Sequence, residues 1–268
     1  MDLLKRLFGG NTKSASSAAR LETFTIQYPN GKTPVALRVK PSTPADLIVE
    51  ALDLPHPVPT IFISGGAGNM DISSMSLTRT TIEDGLARFL QERGISLIDG
   101  GTSTGVMALI GLARQRRNYN FPLIGIAPEA VVYYPGHEPT KRLSDLDAFH
   151  SHFILTEGDD FGAESDTIVQ VALALSGRGA KRALGFVING GEIVRNEVYR
   201  VTTQHPEIPL LVLEGSGRFA DELVAAKKAG TSADPKINEI LREGNLHFIS
   251  MKAGADMLRR WLENFFGY

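Results

Sequence analysis

The 268-residue sequence contains no cysteine, which excludes disulfide bonds, thiolate metal sites and thiol nucleophiles. It also has little excess charge, because 28 Lys and Arg against 30 Asp and Glu leave a formal net charge of −2. Such a chain has no basic field to attract nucleic acid. It lacks an apolar run long enough to cross a bilayer, and it lacks a secretory signal pattern. We therefore expect a cytoplasmic protein without a nucleic-acid partner.

The order of apolar segments predicts an α/β fold. Residues 21–28 alternate with period two, residues 29–32 form a turn, and residues 35–39 return as a second strand, which predicts a hairpin. From residue 60 onward, short apolar runs alternate with helical stretches. Strands that are apolar on both faces and joined by helices form a parallel sheet covered on both sides. We predict a doubly wound, Rossmann-like parallel sheet with an N-terminal β-hairpin and a C-terminal strand-helix extension.

The first 20 residues differ in composition from the rest. A short amphipathic stretch at residues 1–8 precedes a Gly-, Ser- and Asn-containing tract at residues 9–17, which is typical of a linker. We predict a flexible N-terminal segment at residues 1–20 and a single nucleotide-binding domain at residues 21–268.

A buried strand, a glycine turn and the start of a helix follow one another at residues 96–107, and we call this turn the cradle. Its candidate ligand-binding residues are Gly100, Gly101, Thr102, Ser103, Thr104 and Gly105. Glycine lets a ligand approach the backbone N–H groups, and the start of a helix favours an anion. The cradle therefore predicts a phosphate site, although a tight turn without a ligand would also explain these glycines taken alone.

Three further predicted strands end in similar turns. Their candidate ligand-binding residues are Gly65, Gly66, Gly68 and Asn69, then Gly162, Ala163 and Glu164, and then Gly215, Ser216, Gly217 and Arg218. Since the carboxyl ends of parallel strands share one edge of a sheet, four such turns predict a cleft for a nucleotide with two phosphates. The spacing does not match a dehydrogenase fingerprint. The Gly31-Lys32-Thr33 triplet lies in the hairpin turn and lacks the first glycine of a P-loop.

Charged residues near these turns have two interpretations each. Asp159, Asp160 and Glu164 can accept hydrogen bonds from ribose hydroxyls or hold Mg²⁺, or they can serve only as carboxylates at a helix start. Arg218 can bind a phosphate through two parallel hydrogen bonds, or it can form a surface ion pair with Asp221 or Glu222.

His150 and His152 are too few ligands for zinc, so we interpret them as structural residues or as part of the ligand rim. No Gly-x-Ser-x-Gly elbow marks a serine nucleophile.

The chain resembles the SLOG superfamily in six segments that occur in the same order. They are PTIFISGG (59–66), DGGTSTGV (99–106), IGIAP (124–128), HSHFIL (150–155), GAE (162–164) and GSGR (215–218). That superfamily includes the Lonely Guy phosphoribohydrolases and a family of DNA-processing proteins. The resemblance is strongest to a third group, the cytoplasmic N-terminal SLOG (LSDAT) domain of melastatin-type TRP channels, here in a free-standing form of prokaryotic type.

The resemblance implies a cleft that receives ADP-ribose or a related NAD-derived nucleotide, and a role as a sensor. It also implies a membrane effector or another protein as partner, and it is compatible with a homo-oligomer. The Lonely Guy enzymes carry Pro-Gly-Gly-x-Gly-Thr-x-x-Glu, whereas the matching turn here, at residues 158–164, places Glu164 at a different offset. The prediction is therefore a nucleotide-binding sensor. The alternatives are a nucleotide N-glycoside hydrolase that uses Glu164, and a scaffold whose cleft has lost its ligand. Besides the nucleotide, Mg²⁺ is the one cofactor that the acidic residues suggest.

Overall fold

A computed structural model describes residues 21–66 and 72–268. The strands in these ranges are β1 (Thr23–Thr25), β2 (Val35–Val39), β3 (Thr60–Gly65), β4 (Ser96–Asp99), β5 (Leu123–Pro128), β6 (Val132–Tyr133), β7 (Ser144–Asp145), β8 (His152–Thr156), β9 (Ala183–Ile188), β10 (Leu210–Glu214) and β11 (Leu246–Ser250). Nine of them form one sheet in the order β1-β2-β8-β5-β4-β3-β9-β10-β11, while β6 and β7 pair separately. All neighbours in the large sheet are parallel except β1 and β2.

Helices cover both faces of this sheet. The α-helices in the described ranges are α1 (Ala45–Ala51), α2 (Ile72–Thr80), α3 (Arg88–Arg93), α4 (Gly105–Arg116), α5 (Ser165–Leu175), α6 (Glu192–Gln204), α7 (Arg218–Ala229), α8 (Pro235–Glu243) and α9 (Ala255–Phe266). α2 continues into α3 through a π-helical segment, Thr81–Ala87. In this part of the chain no helix is long and apolar enough to cross a membrane.

Apolar cores lie on both faces of the sheet, and the alternation of side chains along the strands produces them. In β3, Ile61 and Ile63 point into the core beneath α3, α4 and α9, whereas Phe62 points into the core beneath α1, α5, α6 and α7. Successive side chains of a strand face opposite sides, so a strand buried on both faces must be apolar throughout. The predicted α/β class is confirmed, together with the N-terminal hairpin and the C-terminal strand-helix extension.

Two local predictions differ from the structure. The apolar pattern predicts a helix near residues 80–93, but in the structure the chain is already helical at Ile72 and continues through the π-helical segment into α3. Residues 43–46 predict a short helix with Thr43 as its N-cap and Pro44 as its first residue, but the structure places Pro44 at the N-cap of α1. The N–H of Lys40 donates to the Thr43 hydroxyl instead. The predicted flexible segment at residues 1–20 lies outside the described residues.

Candidate functional site

A cleft of about 450 Å³ opens at the carboxyl ends of the central strands. β3 lies between β4 and β9, because the chain adds β4, β5 and β8 on one side of β3 and then crosses back to add β9 on the other. Ligands of open α/β sheets bind outside the carboxyl ends of the strands at such a reversal. The cleft therefore lies where this class of fold usually binds small molecules.

The turns after β3 and β4 contribute five of the predicted residues to the lining of this cleft. They are Gly65, Gly66, Gly100, Thr102 and Thr104. Thr104 is the N-cap of α4 in an extended conformation, and its side chain makes no capping hydrogen bond. Within the described ranges, no side chain caps the first N–H groups of α4, and an anion is the ligand that these groups and the positive end of the helix dipole favour.

The other cradle residues, Gly101, Ser103 and Gly105, are not part of the cleft lining and shape the turn instead. Gly101 has a φ of +66°, and a β-carbon on it would lie 2.8 Å from the Cα of Gly125 in β5. The N–H of Ser103 donates to the carbonyl of Asp145 at 2.8 Å. Gly105 begins α4 with a φ of +56°. Neighbouring backbone therefore fixes the cradle, and alternate residues reach the cleft.

A buried histidine supports the cradle from below. Asp99 Oδ1 accepts the N–H of Gly101 at 2.7 Å and lies 2.8 Å from His150 Nε2. His150 Nδ1 lies 2.9 Å from Asp147 Oδ2 on its other side. Burial disfavours the imidazolium, but the charge of Asp99 and hydrogen bonds to both carboxylates outweigh burial and raise the pKa of His150 to about 9. His150 is therefore charged at neutral pH and donates through both ring nitrogens.

His152 lies at the amino end of β8, at the opposite end of that strand from the cleft. Burial and the nearby charge of Arg114 lower the pKa of His152 to about 4. Neither predicted histidine lines the cleft. Within residues 21–66 and 72–268, no group of three or more His, Asp or Glu side chains is placed to hold a metal ion.

Glu164 is the one residue of the predicted acidic cluster that lines the cleft. Its Oε2 accepts the N–H of Gly162 at 2.7 Å. Burial, together with the nearby Glu197, raises the pKa of Glu164 to about 7. Gly162 and Ala163 belong to the same turn but are not part of the lining.

Asp159 and Asp160 face elsewhere. Both side chains are exposed, and Asp160 lies 3.8 Å from the ammonium of Lys141. A common Mg²⁺ site formed by these two residues with Glu164 is therefore not present in this geometry.

Glu197 of α6 is a second cleft carboxylate that the sequence did not reveal. It accepts hydrogen bonds from the hydroxyls of Ser64, near the end of β3, and of Ser165, at the start of α5. Burial raises the pKa of Glu197 above its usual range. Glu164 and Glu197 together make one end of the cleft a hydrogen-bond acceptor for hydroxyl groups.

Most residues of the turn after β10 form hydrogen bonds within the protein and do not line the cleft. The N–H groups of Gly215 and Gly217 donate to the carboxylate of Asp221 at 2.6 and 3.0 Å, so they are not free for a ligand. Ser216 is fully buried, and its hydroxyl accepts the N–H of Asn189. Gly215, Ser216 and Gly217 do not line the cleft, whereas the next residue of the turn does.

Arg218 does line the cleft, and its backbone has a φ of +48°. This left-handed conformation costs a residue with a β-carbon about 1–3 kcal/mol, and such strain concentrates at functional sites. Asp221 is engaged by the glycine turn, and Glu222 pairs with Arg195 at 2.6 Å. Among the described residues, no carboxylate forms an ion pair with Arg218. The alternative of a surface pair with Asp221 or Glu222 is therefore wrong.

A fifth glycine turn, after β9, was missed. Gly191 lines the cleft, and a β-carbon on it would lie 2.5 Å from Nη2 of Arg218, so this glycine makes room for the guanidinium. The sequence signal was present, because Asn189-Gly190-Gly191 follows the apolar run of β9 in the same way as the other four turns.

An apolar mouth surrounds the cleft, and no sequence signal marked it. Leu143 and Ile193 line it with 41% and 43% of their surface exposed, and Phe161 adds an aromatic ring. These side chains come from the loop before β7, the start of α6 and the turn after β8. The predicted ligand-binding residues Gly68 and Asn69 lie outside the described residues.

The chain is similar in sequence to known proteins over most of its length. A family model described as SLOG in TRPM, prokaryote, matches residues 58–259. The chain is 26% identical over 255 residues to the transient receptor potential cation channel trpm of Drosophila melanogaster, covering 82% of this chain and 12% of the channel. It is 28% identical over 238 residues to mouse subfamily M member 1 of these channels, covering 78% and 14%.

The human subfamily M member 7 channel is similar at 27% identity over 218 residues, covering 70% of this chain and 12% of the channel. The chain thus spans about an eighth of the length of the curated relatives that it matches.

Proposed function

This chain belongs to the prokaryotic family of SLOG domains related to TRPM channels, which makes it a ligand-binding domain, and on that premise we propose that its cleft binds ADP-ribose or a related NAD-derived nucleotide. The protein acts as a sensor in the cytoplasm, and a protein partner reads the liganded state. Because the relatives named above are cation channels, a membrane effector is the partner that this proposal favours.

One observation carries the proposal: three complementary chemistries meet in a single cleft. Among the described residues, no side chain caps the start of α4 and no carboxylate pairs with Arg218, and both suit phosphate. Glu164 and Glu197 suit ribose hydroxyls, and the apolar mouth suits a ring. ADP-ribose contains all three groups.

The proposal is tested by calorimetric titration with ADP-ribose, with ribose 5-phosphate as the control that lacks the base. We expect saturable binding of ADP-ribose and much weaker binding of the control. A hundredfold excess over the dissociation constant should raise the free energy of unfolding by about 2.7 kcal/mol, which a melting curve detects. An absence of binding by ADP-ribose, cyclic ADP-ribose, NAD and AMP at millimolar concentration would contradict the proposal.

A second candidate, N-glycoside hydrolysis, is favoured by the raised pKa of Glu164 in the cleft. A carboxyl group with a pKa near 7 can donate a proton to a leaving base. Chromatography of the titration samples separates the two functions. Intact ligand after incubation supports the sensor, whereas free base that is lost in Glu164→Gln makes hydrolysis the function.

Arg218→Ala should weaken ADP-ribose binding by about ten- to a hundredfold, the loss expected for charge-assisted hydrogen bonds to phosphate. Arg218→Lys should recover only part of the affinity, because an ammonium cannot make two parallel hydrogen bonds. Arg260→Ala, at an exposed position of α9, is the matched control. Calorimetry gives the affinities, and the free energy of unfolding should remain within about 0.5 kcal/mol. Equal affinities for the parent and Arg218→Ala would mean that backbone N–H groups alone hold the phosphates.

A further inference from the structure

A second cavity, of about 290 Å³, lies behind the cleft between α5 and α6. We call it the α5–α6 groove. Its floor is β3, through Phe62, Ile63 and Ser64, and its two walls are the facing sides of the helices. It borders the cleft, because Ile63, Ile168 and Glu197 line both spaces.

One side of α6 lines the groove. Glu197, Arg200, Val201 and Gln204 recur at i, i+3, i+4 and i+7, the spacing of one helical face. Val194 and Val198 belong to the neighbouring face of α6, which packs into the core, and Val201 lies at the border between the two faces. Arg200 and Gln204 are exposed along the entrance of the groove, whereas Glu197 reaches inward, so this side of α6 opens the groove to solvent.

Hydrogen bonds divide the groove from the cleft. The carboxylate of Glu197 accepts the hydroxyls of Ser64 and Ser165, and so joins α6 to β3 and to the start of α5. At the opposite side, Arg200 and Asp166 approach to 3.4 Å across the groove entrance. The groove has its own entrance, and within the described ranges each of its charged side chains has a partner, since His205 also lies 3.5 Å from Glu207.

The lining selects a neutral, flat ligand. Phe62, Val169 and Val201 offer apolar surface for a ring, while the side-chain amides of Gln170 and Gln204 border the same space. An amide presents a donor beside an acceptor, which matches the edge of a heteroaromatic ring such as a nucleobase. An anion would find no unpaired cation among the described residues of the groove, because Arg200 faces Asp166 and His205 faces Glu207.

We propose that the α5–α6 groove is a second binding site, which takes a neutral heteroaromatic ring of the nucleobase type. The site is separate from the cleft and does not depend on the function proposed for the cleft. The hydrogen bonds of Glu197 with Ser64 and Ser165 form one wall of the groove. A ligand in the groove therefore contacts Glu197, which also lines the cleft.

The probes are adenine, cytosine and uracil, each added to isotope-labelled full-length protein and followed by backbone amide NMR shifts. We expect saturable shifts at residues 200–205 of α6 and its end, with smaller changes at residues 100–105 of the cradle. Gln170→Ala and Gln204→Ala should each weaken binding by about tenfold, the effect of losing a neutral hydrogen bond. Gln115→Ala, an exposed glutamine in the last turn of α4, is the matched control and should have no effect.

Three results would overturn the proposal. One is the absence of shifts at millimolar concentration with all three bases, and another is an equal effect of the Gln115→Ala control and the two groove variants. The third is displacement of the base by ADP-ribose, since the ring would then belong to one long ligand of the cleft. Shifts at residues 200–205 that persist when ADP-ribose is added would support a separate site.

Discussion

Gly101→Val is expected to destabilise the folded protein by roughly 3 kcal/mol or more, with loss of ligand binding only as a consequence of unfolding. Gly101 has a φ of +66°, which a β-branched residue adopts only under strain. Its β-carbon would also lie 2.8 Å from the Cα of Gly125 and 3.0 Å from Cε1 of Phe153. Backbone atoms of a central strand cannot move aside, so the cradle would have to leave β5.

Gly100→Val is the matched variant, and we expect the opposite result. A β-carbon on Gly100 would meet only Cε of Met107, at 4.0 Å, and Gly100 lines the cleft. The fold should therefore tolerate the valine, while the side chain occupies the space beside the cradle and prevents binding. Urea denaturation and calorimetry with ADP-ribose measure the two effects separately. If Gly101→Val were stable and Gly100→Val bound normally, the cradle would be a structural turn that no ligand approaches.

This pair of glycines shows where prediction from the sequence ended. Glycine in a strand-to-helix turn predicted a close backbone approach at both positions. Gly100 lines the open cleft, whereas the close neighbour of Gly101 is the backbone of β5. Only the register of β4 and β5 distinguishes them, and that register depends on residues more than 20 positions away.

The convergence of the turns could be predicted, because it follows from the parallel sheet. Parallel strands bring their carboxyl ends to one edge, and apolar runs between helices were enough to identify the sheet. The turns after β3, β4, β8 and β10 do meet there, and each contributes at least one residue to the lining of the cleft. Asn189-Gly190-Gly191 after β9 carries the same sequence signal as these four turns.

The site residues that come from helices and loops could not be found in this way. Glu197 lies mid-helix, and a glutamate there carries no signal of burial, because glutamate side chains in helices are mostly exposed. Its burial depends on Ser64 and Ser165, which belong to two other elements. Leu143 and Ile193 also depend on tertiary structure, since isolated apolar residues on a surface are common and carry no signal.

The pH dependence of stability should reveal the buried His150, which lies between Asp99 and Asp147. Its pKa is about 9 in the folded protein against about 6.5 in an unfolded chain. Below pH 6.5 both states carry the proton, and the stabilisation by the buried charge pairs is fully present. As the pH rises through 9 the folded protein loses this proton, and the stabilisation, about 3 kcal/mol, is lost. The free energy of unfolding should therefore fall between pH 6.5 and pH 9.5.

His150→Gln separates this effect from that of other groups. The pKa of His152 is lowered to about 4, which lies below this window. The pKa of Glu164 is raised to about 7, at the lower end of the window, but parent and variant share this carboxylate, so its titration cancels in their difference. Burial also raises the pKa of Glu197, but parent and variant share that carboxylate, and it cancels in their difference. We expect urea denaturation to give a parent that is more stable than the variant at pH 6.5, and a difference that narrows toward pH 9.5 because neutral histidine and glutamine are then alike in charge. A difference that stays constant across this range would mean that His150 is neutral in the fold and supports the cradle by packing alone.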